Sequence, residues 1–268
     1  MTRMFRSWTM CLAILVSLPL SLPLAGCSGS LAQVRGTIEK NYEAQRSYEA
    51  GLQRYRDLDY RGAIPQFTRA IELDQTFDDA EAYLAWSYYH EGTYVEATRH
   101  FRQVLARQPN WEGLHNGLGW TRHRVKRYHL ALESFRQALA IDPKYRDANI
   151  GYAYTLFELG RYAEALPHLE RMTREGEGGA FRGPLPDVER VRSRYAWTLF
   201  YLGDYQRARV ELQKGVAARP DWAGLHNGLG WTYLRLGDRA RASDSFRRAL
   251  QLQPGLADAQ EGLAMGAR

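Results

Sequence analysis

The chain contains only two cysteines among its 268 residues, Cys11 and Cys27. A disulfide framework or a cysteine-based zinc site needs several cysteines at defined spacings, so both are excluded for the chain beyond residue 27. The seven histidines are scattered, and none lies in an HExxH motif or a similar paired spacing. We therefore predict that the protein binds no metal and no cofactor.

Long runs of one charge are also missing. The net charge is +6, but the 36 basic residues are interspersed with 30 acidic ones and form no dense block. A dense basic block is the usual mark of a nucleic-acid-binding surface. We therefore expect no nucleic-acid partner. The composition, 45% hydrophobic and 25% charged, is typical of a globular or repeat protein.

No set of nucleophile, base and acid occurs at a spacing that would support catalysis. The most suggestive stretch, GLHNGLGW, occurs twice, at Gly113–Trp120 and Gly224–Trp231. A phosphate-binding glycine loop lies between a strand and a helix, and no strand pattern precedes either copy. A His–Asn pair could assist a cysteine nucleophile, but the mature chain would contain no free cysteine, so this possibility is excluded. We predict that the protein is not an enzyme.

The first 26 residues have the pattern of a cleaved leader. Arg3 and Arg6 precede an apolar run that extends to Gly26 and is interrupted by Pro19 and Pro23. This run is short and interrupted by proline, so it is a poor candidate for a membrane-spanning helix. A charged start followed by an apolar segment is typical of a signal peptide.

The end of this leader, Leu24-Ala25-Gly26-Cys27, resembles the lipobox of bacterial lipoproteins. The resemblance implies cleavage before Cys27, lipid attachment to that residue and a firm membrane anchor. Ser28 replaces the aspartate that tends to retain such proteins at the inner membrane, so we expect the periplasmic face of the outer membrane. An ordinary secretory signal with an accidental cysteine is the alternative.

The remainder of the chain is periodic. Alanines at positions 63, 97, 131 and 165 are equally spaced, and the series resumes at the same interval with Ala208 and Ala242. A tyrosine precedes the first five alanines by three positions, and a bulky apolar residue follows all six by four. Proline follows by twelve positions at Pro109, Pro143, Pro220 and Pro254. Agreement among independent columns indicates a structural repeat.

This pattern resembles the tetratricopeptide repeat, a helix–turn–helix unit of about 34 residues. The resemblance implies an all-α, right-handed α-solenoid of about six units, at 44–77, 78–111, 112–145, 146–179, 189–222 and 223–256. We predict a signal peptide (1–26), a tether (27–43), repeats 1–3 (44–145), repeat 4 (146–175), an inserted loop (176–188), repeats 5–6 (189–256) and a capping helix (257–268). Small residues at repeat position 8 and alanine at position 20 would let helices A and B of each unit approach closely.

The two GLHNGLGW copies are separated by three full repeats plus a short insertion. They fall on helix A of the third and sixth units, so the chain looks like a tandem duplication of a three-repeat cassette. His115 and His226 are at position 4, the face turned to helix B of the same unit. We expect both histidines to pack there rather than to bind a metal.

Positions 5, 9 and 12–13 of helix A share the opposite side of the helix, which in this family lines a concave groove. An exposed aromatic row there would mark an interaction surface, unless the indoles are buried between repeats. We also expect Gly117 and Gly228, at position 6, to leave a notch beside each Asn–Trp pair. The predicted groove residues are Trp86, Tyr89, Asn116, Trp120, His123, Tyr154, Phe157, Trp197, Phe200, Asn227 and Trp231.

These features predict a non-enzymatic scaffold of the bacterial envelope that holds a segment of a protein partner in its groove. Repeat lipoproteins of this type resemble adaptors of envelope assembly and secretion complexes. The alternative is a glycan-binding accessory protein of a polysaccharide export or cell-wall complex, because indoles beside asparagines suit sugar rings and their hydroxyls.

Overall fold

A computed structural model describes residues 28–177 and 188–266, and within those ranges the chain forms thirteen α-helices and no strands. The predicted signal peptide, Cys27 and residues 178–187 of the predicted loop lie outside the described residues. The helices are α1 (Ser28–Arg56), α2 (Tyr60–Leu73), α3 (Asp78–His90), α4 (Tyr94–Arg107), α5 (Glu112–Arg124), α6 (Tyr128–Ile141), α7 (Arg146–Glu158), α8 (Tyr162–Glu177), α9 (Val188–Tyr201), α10 (Tyr205–Ala218), α11 (Ala223–Arg235), α12 (Arg239–Leu252) and α13 (Ala257–Gly266).

Odd-numbered helices are the A helices of the repeats, and even-numbered helices are the B helices. Each helix packs on the next one along the chain, and each A helix also contacts the A helix of the following unit. Within the described ranges, the backbones of two B helices do not come close to each other, and an ion pair such as that of Arg207 in α10 with Glu170 in α8 bridges the wider gap. The A helices are therefore closer together than the B helices and form the inner, concave side of the stack. This arrangement confirms the predicted all-α solenoid.

The core consists of the columns that the sequence predicts. The alanine at position 20 is fully buried in all six units, and the bulky residue at position 24 is buried with it. In the third unit, a Cβ atom added to Gly119 would lie 2.6 Å from Cε1 of Phe135, so only glycine fits against that ring. Close approach of the two helices thus depends on small residues at position 8.

Helix A ends at repeat position 13, and two residues later, at position 15, the backbone is left-handed in every unit. Four units place glycine there, with φ between 72° and 84°, at the sites the sequence predicts: Gly92, Gly160, Gly203 and Gly237. In the first and third units, Leu58 (φ 62°) and Lys126 (φ 60°) adopt the same conformation. A side chain in this region is strained, and the repeat geometry imposes it even where no glycine is present.

Two of the predicted segments differ from the structure. The segment 28–43, which we expect to be a tether, is helical and continuous with helix A of the first unit. The predicted loop 176–188 begins and ends within helices, because α8 extends to Glu177 and α9 begins at Val188. None of the described helices has both the length and the apolar character needed to cross a bilayer.

The C-terminal helix α13 has the position of a seventh helix A. It contacts α12 and α11 in the same way that α7 contacts α6 and α5. Its residues Asp258, Ala259 and Gly262 match Asp147, Ala148 and Gly151 of α7 in spacing. The cap therefore repeats the start of the fourth unit and covers the end of the sixth.

Candidate functional site

The concave side of the solenoid contains two depressions, one that extends from the first unit to the fifth and one formed by the fifth unit, the sixth unit and the cap. We call the larger one the N-terminal depression; its volume is about 1050 Å³. The smaller one, the C-terminal depression, has a volume of about 470 Å³. The N-terminal depression is lined by Trp86, Tyr89, Trp120, His123 and Tyr154 among the predicted residues. The C-terminal depression is lined by Trp197, Phe200 and Trp231.

Phe157 lines neither depression. The guanidinium of Arg194 lies 4.4 Å from the centre of its ring and 5.0 Å from the ring of Tyr154, and Arg194 is held by an ion pair to Glu158. The other contacts of Phe157 include Tyr201, whose ring is 5.8 Å away. This cluster of Phe157, Arg194, Glu158 and Tyr201 divides the predicted aromatic row into two parts.

The prediction that Asn116 and Asn227 face a ligand is wrong, because both side chains are buried, at 1% and 5% exposure. Asn116 Nδ2 donates to Asp147 Oδ2 at 2.6 Å, and Trp120 Nε1 donates to the same oxygen at 2.9 Å. In the second cassette, Asn227 and Trp231 bind Asp258 Oδ2 in the same way. Each Asn–Trp–Asp clamp joins helix A of one unit to helix A of the next.

The notch predicted at Gly117 and Gly228 is also absent. A Cβ atom at Gly117 would lie 2.5 Å from Cζ of Phe101 and 2.9 Å from Cζ2 of Trp86, both in the preceding unit. At Gly228, it would lie 2.9 Å from Cδ2 of Leu212. These glycines are therefore required for packing between units, and the space beside them is filled by side chains of the preceding unit.

The indoles at position 9 are half-buried, so each of the two interpretations of the tryptophan row is partly correct. In three of the four, one side of the ring packs against the position-24 phenylalanine of its own unit, as in the pair Trp120 and Phe135, whose rings are 5.4 Å apart. The same indole lines the N-terminal depression. Trp86 and Trp231 have equivalent contacts with Phe101 and Phe246.

The histidines have structural partners. His115 Nε2 lies 2.8 Å from the carbonyl oxygen of Pro109, and His226 Nε2 lies 3.0 Å from that of Pro220. Each contact stabilises the turn between two units. His123 Nδ1 is 3.0 Å from Thr155 Oγ1, and burial lowers the pKa of His123. Within the described ranges, no three His, Cys, Asp or Glu side chains are grouped as metal ligands.

The structure adds charged residues that the sequence-based prediction missed. Arg56, Arg124 and Arg190 line the N-terminal depression together with Asp147. Burial raises the pKa of Asp147, and the hydrogen bonds from Asn116 and Trp120 oppose that effect. The match between Asp147 and Asp258 is a usable sequence signal, because both begin the pattern Asp-Ala-x-x-Gly. The arginines come from three different elements, and no single column of the repeat identifies them.

Comparison with known proteins agrees with this architecture. Tetratricopeptide repeat models match residues 48–110, 124–180 and 223–256. No curated protein sequence matches the chain. The chain is therefore a tetratricopeptide repeat protein by its family matches and by its fold.

Several solved structures share the fold at low sequence identity. The Pseudomonas aeruginosa protein PilF has a TM-score of 0.69 at 19% identity, covering 85% of this chain and 99% of its own. PilW, described as a widely conserved type IV pilus biogenesis factor, has a TM-score of 0.66 at 21% identity, covering 82% and 98%. YrrB, described as having an unusual peptide-binding site, has a TM-score of 0.62 at 20% identity, covering 73% and 96%.

Proposed function

We propose that this protein is a non-enzymatic scaffold that binds segments of a protein partner in the two depressions of its concave face. The observation that carries the proposal is that both depressions are lined by a pair of tryptophans at position 9, from the second and third units in one and from the fifth and sixth units in the other. Half-buried aromatic rings in a concave surface supply large contact areas at a low cost in conformational entropy. Two linked sites of this kind can also gain affinity through avidity. The description of YrrB as peptide-binding and of PilW as a pilus biogenesis factor supports a role of this class.

A binding test should avoid the clamp residues, because replacing Trp120 or Trp231 would also remove the hydrogen bond of that indole to the aspartate of the next A helix. Trp86 and Trp197 are the equivalent indoles of the second and fifth units, and both line a depression. The double variant Trp86→Leu, Trp197→Leu keeps an apolar side chain of smaller volume at each position and removes the indole faces. We expect at least a tenfold loss of partner affinity, because buried aromatic anchors dominate such interfaces. Partners captured from the envelope fraction are identified by mass spectrometry and then titrated in purified form.

Trp111 and Trp222 provide the matched control, since they lie at repeat position 34 and line neither depression. The corresponding leucine substitutions should leave partner affinity unchanged. Equal affinity in all variants would rule out the indole-lined depressions as the binding site.

Binding of an envelope polysaccharide, with the same dependence on Trp86 and Trp197, would instead favour the glycan-binding alternative. Burial of Asn116 and Asn227 removes the amides that this alternative needs for binding sugar hydroxyls, and this disfavours it.

We further propose that the scaffold is anchored by lipid at Cys27 to the periplasmic face of the outer membrane, where it serves an envelope assembly or secretion complex. The support is the lipobox-like Leu24-Ala25-Gly26-Cys27 and the serine that follows it. Replacing Cys27→Ser should abolish incorporation of a labelled fatty acid and release the protein from the membrane fraction. Cys11→Ser is the control and should remain labelled. Labelling of the Cys27→Ser variant at the wild-type level would refute the anchor.

A further inference from the structure

The N-terminal depression has an excess of positively charged side chains. Arg56 lies at the end of α1, Arg124 at the end of α5 and Arg190 near the start of α9, and all three are exposed. None of these three forms an ion pair with a described residue, although Arg124 Nε donates to the hydroxyl of Tyr94 and its guanidinium lies 5.8 Å from the centre of that ring. A fourth arginine, Arg219, also lines the depression and pairs with Asp221. Guanidinium groups from distant parts of the chain thus line one concave surface.

The one acidic side chain among the described residues that line this depression is Asp147. Its Oδ2 atom already accepts hydrogen bonds from Asn116 and Trp120. The C-terminal depression differs, because the charged residues that line it, Arg235 and Asp258, are one of each sign. The two depressions therefore share their aromatic character but differ in charge, and the N-terminal depression is the positive one.

We propose that the N-terminal depression binds an acidic segment of the partner protein. Apolar side chains of the segment would pack on the aromatic floor, and its carboxylates would pair with Arg56, Arg124 and Arg190. This inference rests on the proposed function of the concave face as a partner-binding surface. The surface favours a peptide over a sugar because the amide of Asn116, which would have to bind sugar hydroxyls, is buried and donates to Asp147. Guanidinium groups bind carboxylates in a planar, two-point geometry that suits aspartate and glutamate.

The test is a selection of random dodecapeptides displayed on phage against the immobilised full-length chain. We expect enriched peptides to combine several aspartates or glutamates with aromatic or aliphatic residues. A synthetic peptide from this pool is then titrated against the wild type and against the triple variant Arg56→Gln, Arg124→Gln, Arg190→Gln. Exposed ion pairs contribute about 0.2–1 kcal/mol each, so the triple variant should bind about tenfold more weakly. The loss should shrink as the salt concentration is raised.

The matched control removes the same number of positive charges outside the two depressions. Arg102, Arg136 and Arg239 are exposed, lie on B helices and line neither depression. Their triple glutamine variant should bind the peptide with wild-type affinity. Enrichment of peptides without acidic residues, bound equally by all variants, would overturn this inference and leave the scaffold proposal standing. Failure to enrich any peptide would count against both proposals. An oligothymidylate that binds as tightly as the peptide, with the same dependence on the three arginines, would overturn the inference by showing general anion binding.

Discussion

Replacing Phe135 with alanine is expected to lower the free energy of unfolding by about 3–5 kcal/mol, the typical cost of truncating a buried phenylalanine. Phe135 has 0% exposure and lies between two A helices. A Cβ atom at Gly119 of its own unit would lie 2.6 Å from Cε1 of this ring, and Gly151 of the next unit faces the same ring. The cavity could not close by movement of one helix alone, because the ring fills the space within one unit and between two units.

Urea unfolding followed by far-ultraviolet circular dichroism measures this loss. Leu130→Ala in the same helix is the control, because Leu130 is 41% exposed and its removal leaves no cavity. That variant should change the free energy of unfolding by less than about 1 kcal/mol. A loss below about 1 kcal/mol for Phe135→Ala would mean that the contact between the third and fourth units is not tightly packed.

The column that contains Phe135 could be predicted from the sequence for a simple physical reason. Contacts within one unit recur in every unit, so the same residue type appears at the same repeat position several times and identifies the packing there. The ends of the A helices are identified in the same way, by Gly92 and the glycines at the equivalent positions. Leu58 and Lys126 could not be predicted from their residue types, because neither favours the left-handed conformation that the repeat imposes on it.

The candidate site could be predicted only in part. Helical periodicity identifies the side of helix A that faces the concave surface, and it places Trp86 and Trp120 correctly in the N-terminal depression. It cannot identify the neighbour of each side chain in the next unit, because that depends on how the units stack. Periodicity therefore predicts that Asn116 faces solvent, whereas Asp147 of the following unit covers it.

The arginines of the N-terminal depression illustrate the same difficulty. Arg56 and Arg124 both occupy position 13 of their units, two repeat lengths apart, whereas Arg190 is at position 2 of the fifth unit, so no one column contains all three. Only the curvature of the stack brings them to one surface. The interspersed charges do not indicate this local excess, since net charge averages over all faces of the molecule.

The Asn–Trp–Asp clamps lead to the second large expected effect. Asp147→Ala would leave Asn116 Nδ2 and Trp120 Nε1 without their shared acceptor, and an unsatisfied buried donor costs about 1–3 kcal/mol. We expect a loss of about 2–3 kcal/mol in the free energy of unfolding. Stability of a repeat array depends on contacts between neighbouring units, so the weakened link should also broaden the urea transition and allow the two cassettes to unfold separately.

The equivalent variant Asp258→Ala is the positional control for this prediction. It breaks the same clamp at the end of the array, where only the cap α13 depends on it. We expect a loss of about 1 kcal/mol or less and fraying of α13, detected as faster amide hydrogen exchange confined to that helix. Equal losses and equal transition widths for the two alanine variants would contradict a role for the first clamp in joining the cassettes.

Asp147→Asn separates the role of the hydrogen bonds from that of the charge. The asparagine Oδ1 atom can accept from both donors, so the clamp is retained without a carboxylate.

Burial raises the pKa of Asp147 in the folded state above its usual value of 3.8, so the folded protein binds a proton more tightly than the unfolded chain. The stability contributed by this group is therefore fully present below the unfolded pKa and is lost as pH rises through the folded pKa. The asparagine variant should lack this loss and equal or exceed the wild type in stability at neutral pH. A variant as unstable as Asp147→Ala would show instead that the clamp requires the charged carboxylate.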